Sequence, residues 1–137
     1  MRRVVMLLAG ALILAACSGN VFDLEVGQCF DEPDSLDEVS NVEIVDCTEA
    51  HDNEVYHLFD LPDGDFPGDI AVGEAAVEGC LGTFEGYVGL DYESSALDIR
   101  YLIPTADSWS DGDQEVVCYL VDLNGAQLTG SMKGSGV

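Results

Sequence analysis

Four cysteines that follow an export signal constrain the fold of this chain more than any other feature. Arg2 and Arg3 precede an unbroken apolar run over residues 4–16, which ends in Leu-Ala-Ala before Cys17. A basic start, a short apolar stretch and small residues before the cleavage point are typical of a secretory signal peptide. Cysteines downstream of such a signal reach an oxidising compartment, where disulfide bonds form and persist.

The cysteine directly after Ala16 indicates the lipoprotein kind of signal. We predict cleavage after Ala16, attachment of a diacylglyceryl group to the Cys17 thiolate, and a lipid anchor on the outer face of the cytoplasmic membrane. The alternatives are an ordinary secretory signal and a transmembrane anchor. The run over residues 4–16 is shorter than the roughly 20 apolar residues that a spanning helix needs, which disfavours the transmembrane anchor.

The remaining four cysteines, Cys29, Cys47, Cys80 and Cys118, form an even set and predict two disulfide bonds. Four cysteines allow three pairings, and the sequence by itself leaves all three open. We predict the pairing of neighbours in the chain, Cys29 with Cys47 and Cys80 with Cys118. A zinc site is the alternative, but no two cysteines lie two to four residues apart, as zinc ligands usually do.

The chain after the signal has the length of one ordinary domain. Its predicted organisation has four parts: a signal peptide over 1–16, a lipidated tether over 17–22, a domain over 23–130 and a flexible tail over 131–137.

Charge excludes one class of partner. After removal of the signal, the basic residues are Arg100 and Lys133, against 27 acidic residues. Nucleic acid binding depends on lysine and arginine neutralising phosphates, so we predict no nucleic acid partner. The simplest interpretation of the acidity is a solvated surface that keeps an exported protein soluble. A surface that binds calcium or a cationic partner is the alternative.

Hydrophobic periodicity predicts an α+β fold, with a small antiparallel sheet, one packed helix and two disulfides. Apolar residues at three- and four-residue steps predict a helix over 71–88 that lays Cys80 on the sheet. Runs of β-branched and aromatic residues predict the strands, and Asn124-Gly125 predicts a hairpin turn into residues 127–129. The predicted strands cover residues 21–30 (with a turn), 42–47, 54–60, 97–103 and 115–121.

No recognisable catalytic motif occurs in the sequence, and we predict a protein that is not an enzyme, with no cofactor and no metal. An envelope hydrolase with an unrecognised site is the residual alternative. His57 alternates with Val55 and Phe59, which predicts a buried structural histidine. His51 lies close to Asp52 and Glu54 and is a candidate for interaction, with a metal site as the alternative. Trp109 is either packed at the sheet edge or an aromatic anchor for a partner.

Several short motifs together resemble the septum-formation domain of actinobacterial cell-envelope proteins. The resemblance extends over residues 23–131 and depends on the order of the four cysteines and the residues around them. The motifs are Gly27-Gln28-Cys29-Phe30, Cys47-x-x-x-His51-x-x-Glu54-Val55, Phe66-Pro67-Gly68, Cys80, Pro104, Ser108-Trp109-x-x-Gly112-Asp113 and Cys118. It implies an extracytoplasmic domain, often anchored by a lipid or a helix, and supplies no catalytic residues.

The function predicted from these features is that of a non-catalytic extracytoplasmic lipoprotein. It would serve as an interaction module of the cell envelope, linked to septum formation, with envelope or division proteins as partners. The alternative is a lipoprotein that binds a solute or a cation through its acidic surface.

Overall fold

The computed structural model of the protein describes residues 17–32 and 41–137, and the predicted signal peptide over 1–16 lies outside them. Within the described residues, six strands form one antiparallel sheet in the order β1-β3-β2-β5-β7-β6, and β4 and β8 form a second antiparallel pair. The strands are β1 Cys17–Asn20, β2 Cys29–Asp31, β3 Asn41–Val45, β4 Ala50–His51, β5 Asn53–Asp60, β6 Leu97–Leu102, β7 Glu115–Asp122 and β8 Leu128–Thr129. The helices are α1 Asp69–Val88 and the short α2 Ala106–Ser110, with 3₁₀ turns at Val21–Asp23 and Tyr92–Ser94.

Helix α1 covers one face of the large sheet, as the periodicity predicts. Its buried residues follow the three- and four-residue steps of a helical stripe and are Val72, Ala76, Cys80, Phe84 and Val88. The helix ends at Gly89, which adopts φ 86° and donates its backbone N–H to the carbonyl of Glu85. Glycine reaches this left-handed conformation without steric cost, so it stops the helix there.

Strand β7 is apolar on both faces, as predicted, because it lies between β5 and β6 and separates two cores. Its residues Val116, Cys118 and Leu120 pack on the side of α1. The residues between them pack in a second cluster on the opposite face, together with Val55 of β5 and Phe30 of β2. Within the described residues, no helix combines the length and apolar character needed to cross a membrane.

Both predicted disulfides are present. Cys80 and Cys118 bond α1 to β7, with 5.6 Å between their Cα atoms, and both side chains are fully buried. Cys29 of β2 bonds to Cys47, which follows β3, with 5.3 Å between the Cα atoms. The first bond therefore joins the helix to the sheet, and the second joins two neighbouring segments at the end of the sheet.

The Asn124-Gly125 turn forms, but it does not make the predicted hairpin. Asp122 accepts hydrogen bonds from the backbone N–H groups of Asn124 and Ala126, at 2.8 and 3.1 Å, which directs the chain away from β7. Strand β8 then pairs with β4 and not with β7. The N–H of Gly130 donates to the carbonyl of Cys47 at 2.6 Å and holds the chain in this new position.

The C-terminal segment, residues 130–137, is packed on the domain, in contrast to the predicted flexible tail. Met132 is buried, and the N–H groups of Gly134 and Gly136 donate to the carbonyls of Tyr87 and Val88, at 2.8 and 2.9 Å. The last carbonyls of a helix lack partners within the helix. The segment supplies those partners for α1. The composition of residues 131–137 does not predict this contact.

The predicted tether over 17–22 also takes part in regular structure. Residues Cys17–Asn20 pair with β3 as an edge strand, and a 3₁₀ turn follows at Val21–Asp23. Residues 17–23 are therefore part of regular structure and do not form a free spacer.

Glycine at position 79 allows the Phe59 ring to lie directly against α1. A Cβ atom built there would lie 2.6 Å from Cε1 of Phe59, whereas one at Gly82 would meet nothing within 4 Å. We expect Gly79→Ala to lower the free energy of unfolding by about 1–3 kcal/mol, because the added methyl group overpacks the interface. The matched control, Gly82→Ala, should raise it by about 0.5–1 kcal/mol through helix propensity. Urea denaturation of both variants measures the difference, and equal effects would contradict the close-packing argument.

Candidate functional site

Three polar side chains near the start of β5 are completely buried. His51, Asn53 and Glu54 each have no exposed surface, although such residues are seldom fully buried without partners. We call these three residues the polar cluster. It lies where β2, β4 and β5 meet, next to the disulfide of Cys29.

Glu54 connects three distant parts of the chain. Its Oε1 accepts hydrogen bonds from the hydroxyl of Tyr87 at 2.8 Å and from the hydroxyl of Ser131 at 2.7 Å. Its Oε2 accepts from the backbone N–H of Met132 at 2.7 Å. A buried carboxylate is tolerated when hydrogen bonds replace its hydration, and here they come from α1 and the C-terminal segment. Glu54 therefore holds that segment against the domain.

The surroundings of Glu54 also change the acidity of Tyr87. Burial raises the pKa of the Tyr87 hydroxyl well above its ordinary value, and the hydrogen bond to Glu54 raises this pKa further. Burial likewise raises the pKa of Tyr56, whose hydroxyl donates to the carbonyl of Cys80 at 2.7 Å. Both tyrosines therefore act as neutral hydrogen-bond donors near neutral pH.

His51 is held through only one of its two ring nitrogens. Nδ1 lies 2.8 Å from the carbonyl oxygen of Glu49, so this nitrogen carries the proton. Nε2 is buried and has no hydrogen-bond partner in the part of the chain that the structure describes, and the same is true of Oδ1 of Asn53. Unpaired buried polar atoms are rare in proteins and call for a physical explanation.

His51 and Glu54 of the polar cluster, together with the neighbouring Cys29, are ligand types for a metal ion, although the sequence predicts no metal. One ligand atom each of Cys29, His51 and Glu54 lies within 4.8 Å of the others. The Cys29 sulfur is bonded to Cys47 and carries no thiolate, so the oxidised cluster offers one nitrogen and one carboxylate. A protein zinc site uses three or four protein ligands, which the oxidised cluster lacks.

His57 does not share a face with Val55, in contrast to the predicted alternation. A bulge between these two residues shifts the register, so that Val55 lies opposite Tyr119 and His57 lies opposite Cys118. Val55 packs in the core cluster away from α1, whereas His57 is only partly buried. The His57 ring stacks on Phe59, with 5.4 Å between the ring centroids. The prediction of a buried core histidine at position 57 is therefore wrong, because one extra residue in the strand changes the face.

The two histidines differ in burial, and we expect stability to depend more on His51 than on His57. We expect His51→Ala to lower the free energy of unfolding by about 2–4 kcal/mol, because it leaves a cavity and an unpaired Glu49 carbonyl. His57→Ala is the matched control, with an expected loss of about 1 kcal/mol or less, because its ring is partly solvated. Chemical denaturation of the oxidised variants checks the order. A larger loss in the His57 variant would contradict it.

Trp109 is a packing residue in this structure. It lies on α2, whose first turn is closed by reciprocal hydrogen bonds between Thr105 and Ser108. Its indole N–H donates to the carbonyl of Gly64 at 2.8 Å, and its ring meets Phe66 edge to face, with centroids 5.6 Å apart. Only 7 % of Trp109 is exposed, which is too little for an anchor that a partner protein could bury. The same reasoning applies to His51, which has no exposed surface as an interaction residue.

Part of the acidic surface lines an open groove of about 220 Å³ beside β6 and β7. Its lining includes Asp52, Asp98 and Asp122, with Arg100 among them. Both Asp52 oxygens already accept hydrogen bonds, from the N–H of Glu32 and from Gln127. Among the described residues, no three carboxylates of this groove have oxygens within 4.8 Å of one another. The groove therefore lacks the convergence that a cation site needs.

The sequence pattern indicated His51 as a candidate site residue, but it did not indicate that Glu54 is the centre of the site. The available signal was the spacing Cys47-x-x-x-His51-x-x-Glu54, which places a carboxylate inside a strand-like apolar run. The partners Tyr87 and Ser131 lie 33 and 77 residues away from Glu54 and carried no signal of their own.

Comparison with known proteins agrees with the resemblance seen in the motifs. The family model described as "Septum formation" matches residues 19–134. The proteins named "Putative lipoprotein LppN" from Mycobacterium tuberculosis and Mycobacterium bovis are each 33% identical over 116 residues. That alignment covers 81% of this chain and 63% of each relative, so the chain spans less than two thirds of their length. No solved structure matches the chain significantly.

Proposed function

This chain belongs to the septum-formation family, and from that membership we propose that it is a non-catalytic, lipid-anchored interaction module of the cell envelope. The family match covers nearly the whole described domain, from β1 into the C-terminal segment. The role that this supports is in septum formation, with envelope or division proteins as partners.

The proposal that the protein is non-catalytic rests on the complete burial of the polar cluster. A catalytic group must come within hydrogen-bonding distance of a substrate. Glu54 is fully buried, and both of its carboxylate oxygens accept hydrogen bonds from the protein itself. The buried carboxylate of Glu54 therefore serves the fold.

The proposed anchor would hold the domain close to the membrane. The lipid would be attached at Cys17, the first residue of edge strand β1, and β1 pairs with β3 directly. No spacer separates the predicted lipid from the sheet, so the domain would contact partners near the bilayer on the outer face of the cytoplasmic membrane. The mycobacterial relatives are named as lipoproteins, which supports this anchor.

Deletion of the gene with complementation tests the septum role. We expect the deletion strain to form fewer or misplaced septa and longer cells, and the wild-type gene to restore them. A gene encoding Cys17→Ala should restore them poorly, because the domain would leave the membrane. Ser18→Ala is the matched control and should complement fully. Normal septation in the deletion strain would contradict the proposed role.

A further inference from the structure

We propose that Cys29, Cys47, His51 and Glu54 form a zinc site when the disulfide between the two cysteines is reduced. The proposal goes beyond the role in septum formation and does not depend on it. It concerns a second chemical state of the polar cluster, in which the two sulfurs become available as ligands.

The ligand atoms are already gathered in the oxidised structure. The Cys29 sulfur, a His51 ring nitrogen and a Glu54 carboxylate oxygen lie within 4.8 Å of one another. In a tetrahedral zinc site with bonds of about 2.0–2.3 Å, neighbouring ligand atoms are roughly 3.5 Å apart. Side-chain adjustments on the order of 1 Å would therefore close the site around an ion. Cys47 is bonded to Cys29 in the oxidised state, so its sulfur is the nearest source of a fourth ligand.

His51 has the hydrogen-bonding pattern that metal-bound histidines usually have. In such sites one ring nitrogen donates its proton to a carbonyl or carboxylate, and the other nitrogen presents its lone pair to the metal. The hydrogen bond from Nδ1 to the Glu49 carbonyl provides the first half of this arrangement. Nε2 provides the second half, because it is buried and has no hydrogen-bond partner among the described residues.

Glu54 can contribute a ligand without losing its structural contacts. Its Oε1 accepts two hydrogen bonds, whereas Oε2 accepts one, from the N–H of Met132. A carboxylate oxygen has two lone pairs, so Oε2 keeps one for a metal ion. Two thiolates, one imidazole and one carboxylate are a donor set that suits zinc.

Reduction would proceed by exchange with a dithiol. Its thiolate attacks the sulfur of Cys47, which is partly exposed, and the buried Cys29 leaves as a thiolate beside His51 and Glu54. The second thiol of the reductant then closes a disulfide within the reductant and releases Cys47. The protein gains two electrons, the dithiol is oxidised, and zinc takes the place of the protons on the two thiols. The Cys80–Cys118 bond is fully buried on both sides and should resist the same reagent.

Zinc binding to the full mature chain tests the proposal. The protein is treated with a mild dithiol, and peptide mapping confirms that Cys29–Cys47 is open and Cys80–Cys118 is closed. We expect this form to bind equimolar zinc in competition with a chromophoric chelator, and the oxidised form to bind none at this site. Cobalt bound in place of zinc should show the absorption of cobalt–thiolate bonds.

The two histidines provide the matched control. We expect His51→Gln to weaken zinc binding by more than the roughly 10–100-fold that loss of an outer-shell partner costs. His57→Gln should bind as tightly as the wild type, because His57 lies on β5 away from the two cysteines. Three results would overturn the proposal: no zinc bound by the reduced protein, equal binding by the oxidised protein, or equal affinity of the two variants. If the reduced protein were unfolded, its free cysteines would bind zinc equally well in both variants. Unfolding of the reduced protein therefore also counts against the site.

Discussion

Replacing Glu54 with alanine is expected to lower the free energy of unfolding by about 3–5 kcal/mol. The substitution removes the acceptor of three hydrogen bonds, from the Tyr87 hydroxyl, the Ser131 hydroxyl and the Met132 N–H. Each buried donor left without a partner costs about 1–3 kcal/mol, and water can relieve part of this at the exposed Ser131. The loss is a large fraction of the roughly 5–15 kcal/mol by which a domain is stable.

Chemical denaturation of Glu54→Ala measures the total loss, and hydrogen exchange locates it. The N–H groups of Gly134 and Gly136 bond to the end of α1, and we expect their protection to fall more than that of α1 itself. The matched control is Glu78→Ala, which removes an exposed glutamate from the same domain and should stay within about 0.5 kcal/mol. Unchanged protection of the C-terminal segment would show that Glu54 does not hold it.

Replacing Cys17 with alanine is expected to abolish lipid attachment and to release the domain from the membrane. The thiolate that would carry the lipid is lost, and a domain with two basic residues has no patch to bind anionic headgroups. The fold itself should persist, because β1 pairs with β3 through the backbone. Metabolic labelling with a tagged fatty acid is the direct measurement.

Fractionation of washed membranes provides the second measurement for this variant. Ser18→Ala keeps the thiol and should be labelled and retained like the wild type, so it controls for any change near the cleavage point. Fatty-acid label on the Cys17→Ala protein would contradict the anchor at this residue. Retention of the unlabelled mature domain would instead indicate another membrane contact.

The elements that local pattern specifies were predictable from the sequence. The apolar stripe of α1 and the two apolar faces of β7 follow from periods of 3.6 and 2 residues, and both are found where predicted. The same periodicity placed Cys80 on the sheet that carries Cys118, and the helix–sheet disulfide confirms it. The family was also predictable from the sequence, because its short motifs and the order of its cysteines can be recognised along the chain.

The site depended on contacts between residues far apart in the sequence. The side chain of Glu54 is separated from Ser131 by 77 residues, and nothing in the composition of residues 131–137 indicated a buried partner. Their glycines suggested flexibility, but the unpaired carbonyls at the end of α1 give them hydrogen-bond acceptors. Local composition describes what a segment prefers alone, whereas burial depends on what the fold places beside it.

The two histidines show the same difference between what local pattern predicts and what tertiary contacts decide. Strict alternation along β5 predicted that His57 would be buried, and a bulge of one residue changed the face that it occupies. His51 precedes that bulge and is fully buried beside the Cys29–Cys47 bond. The sequence by itself determined the cysteine inventory, the apolar faces and the family, because these depend on local period and order. Only the tertiary structure decided which polar groups are buried together, because strand register and the path of the C-terminal segment bring them into contact.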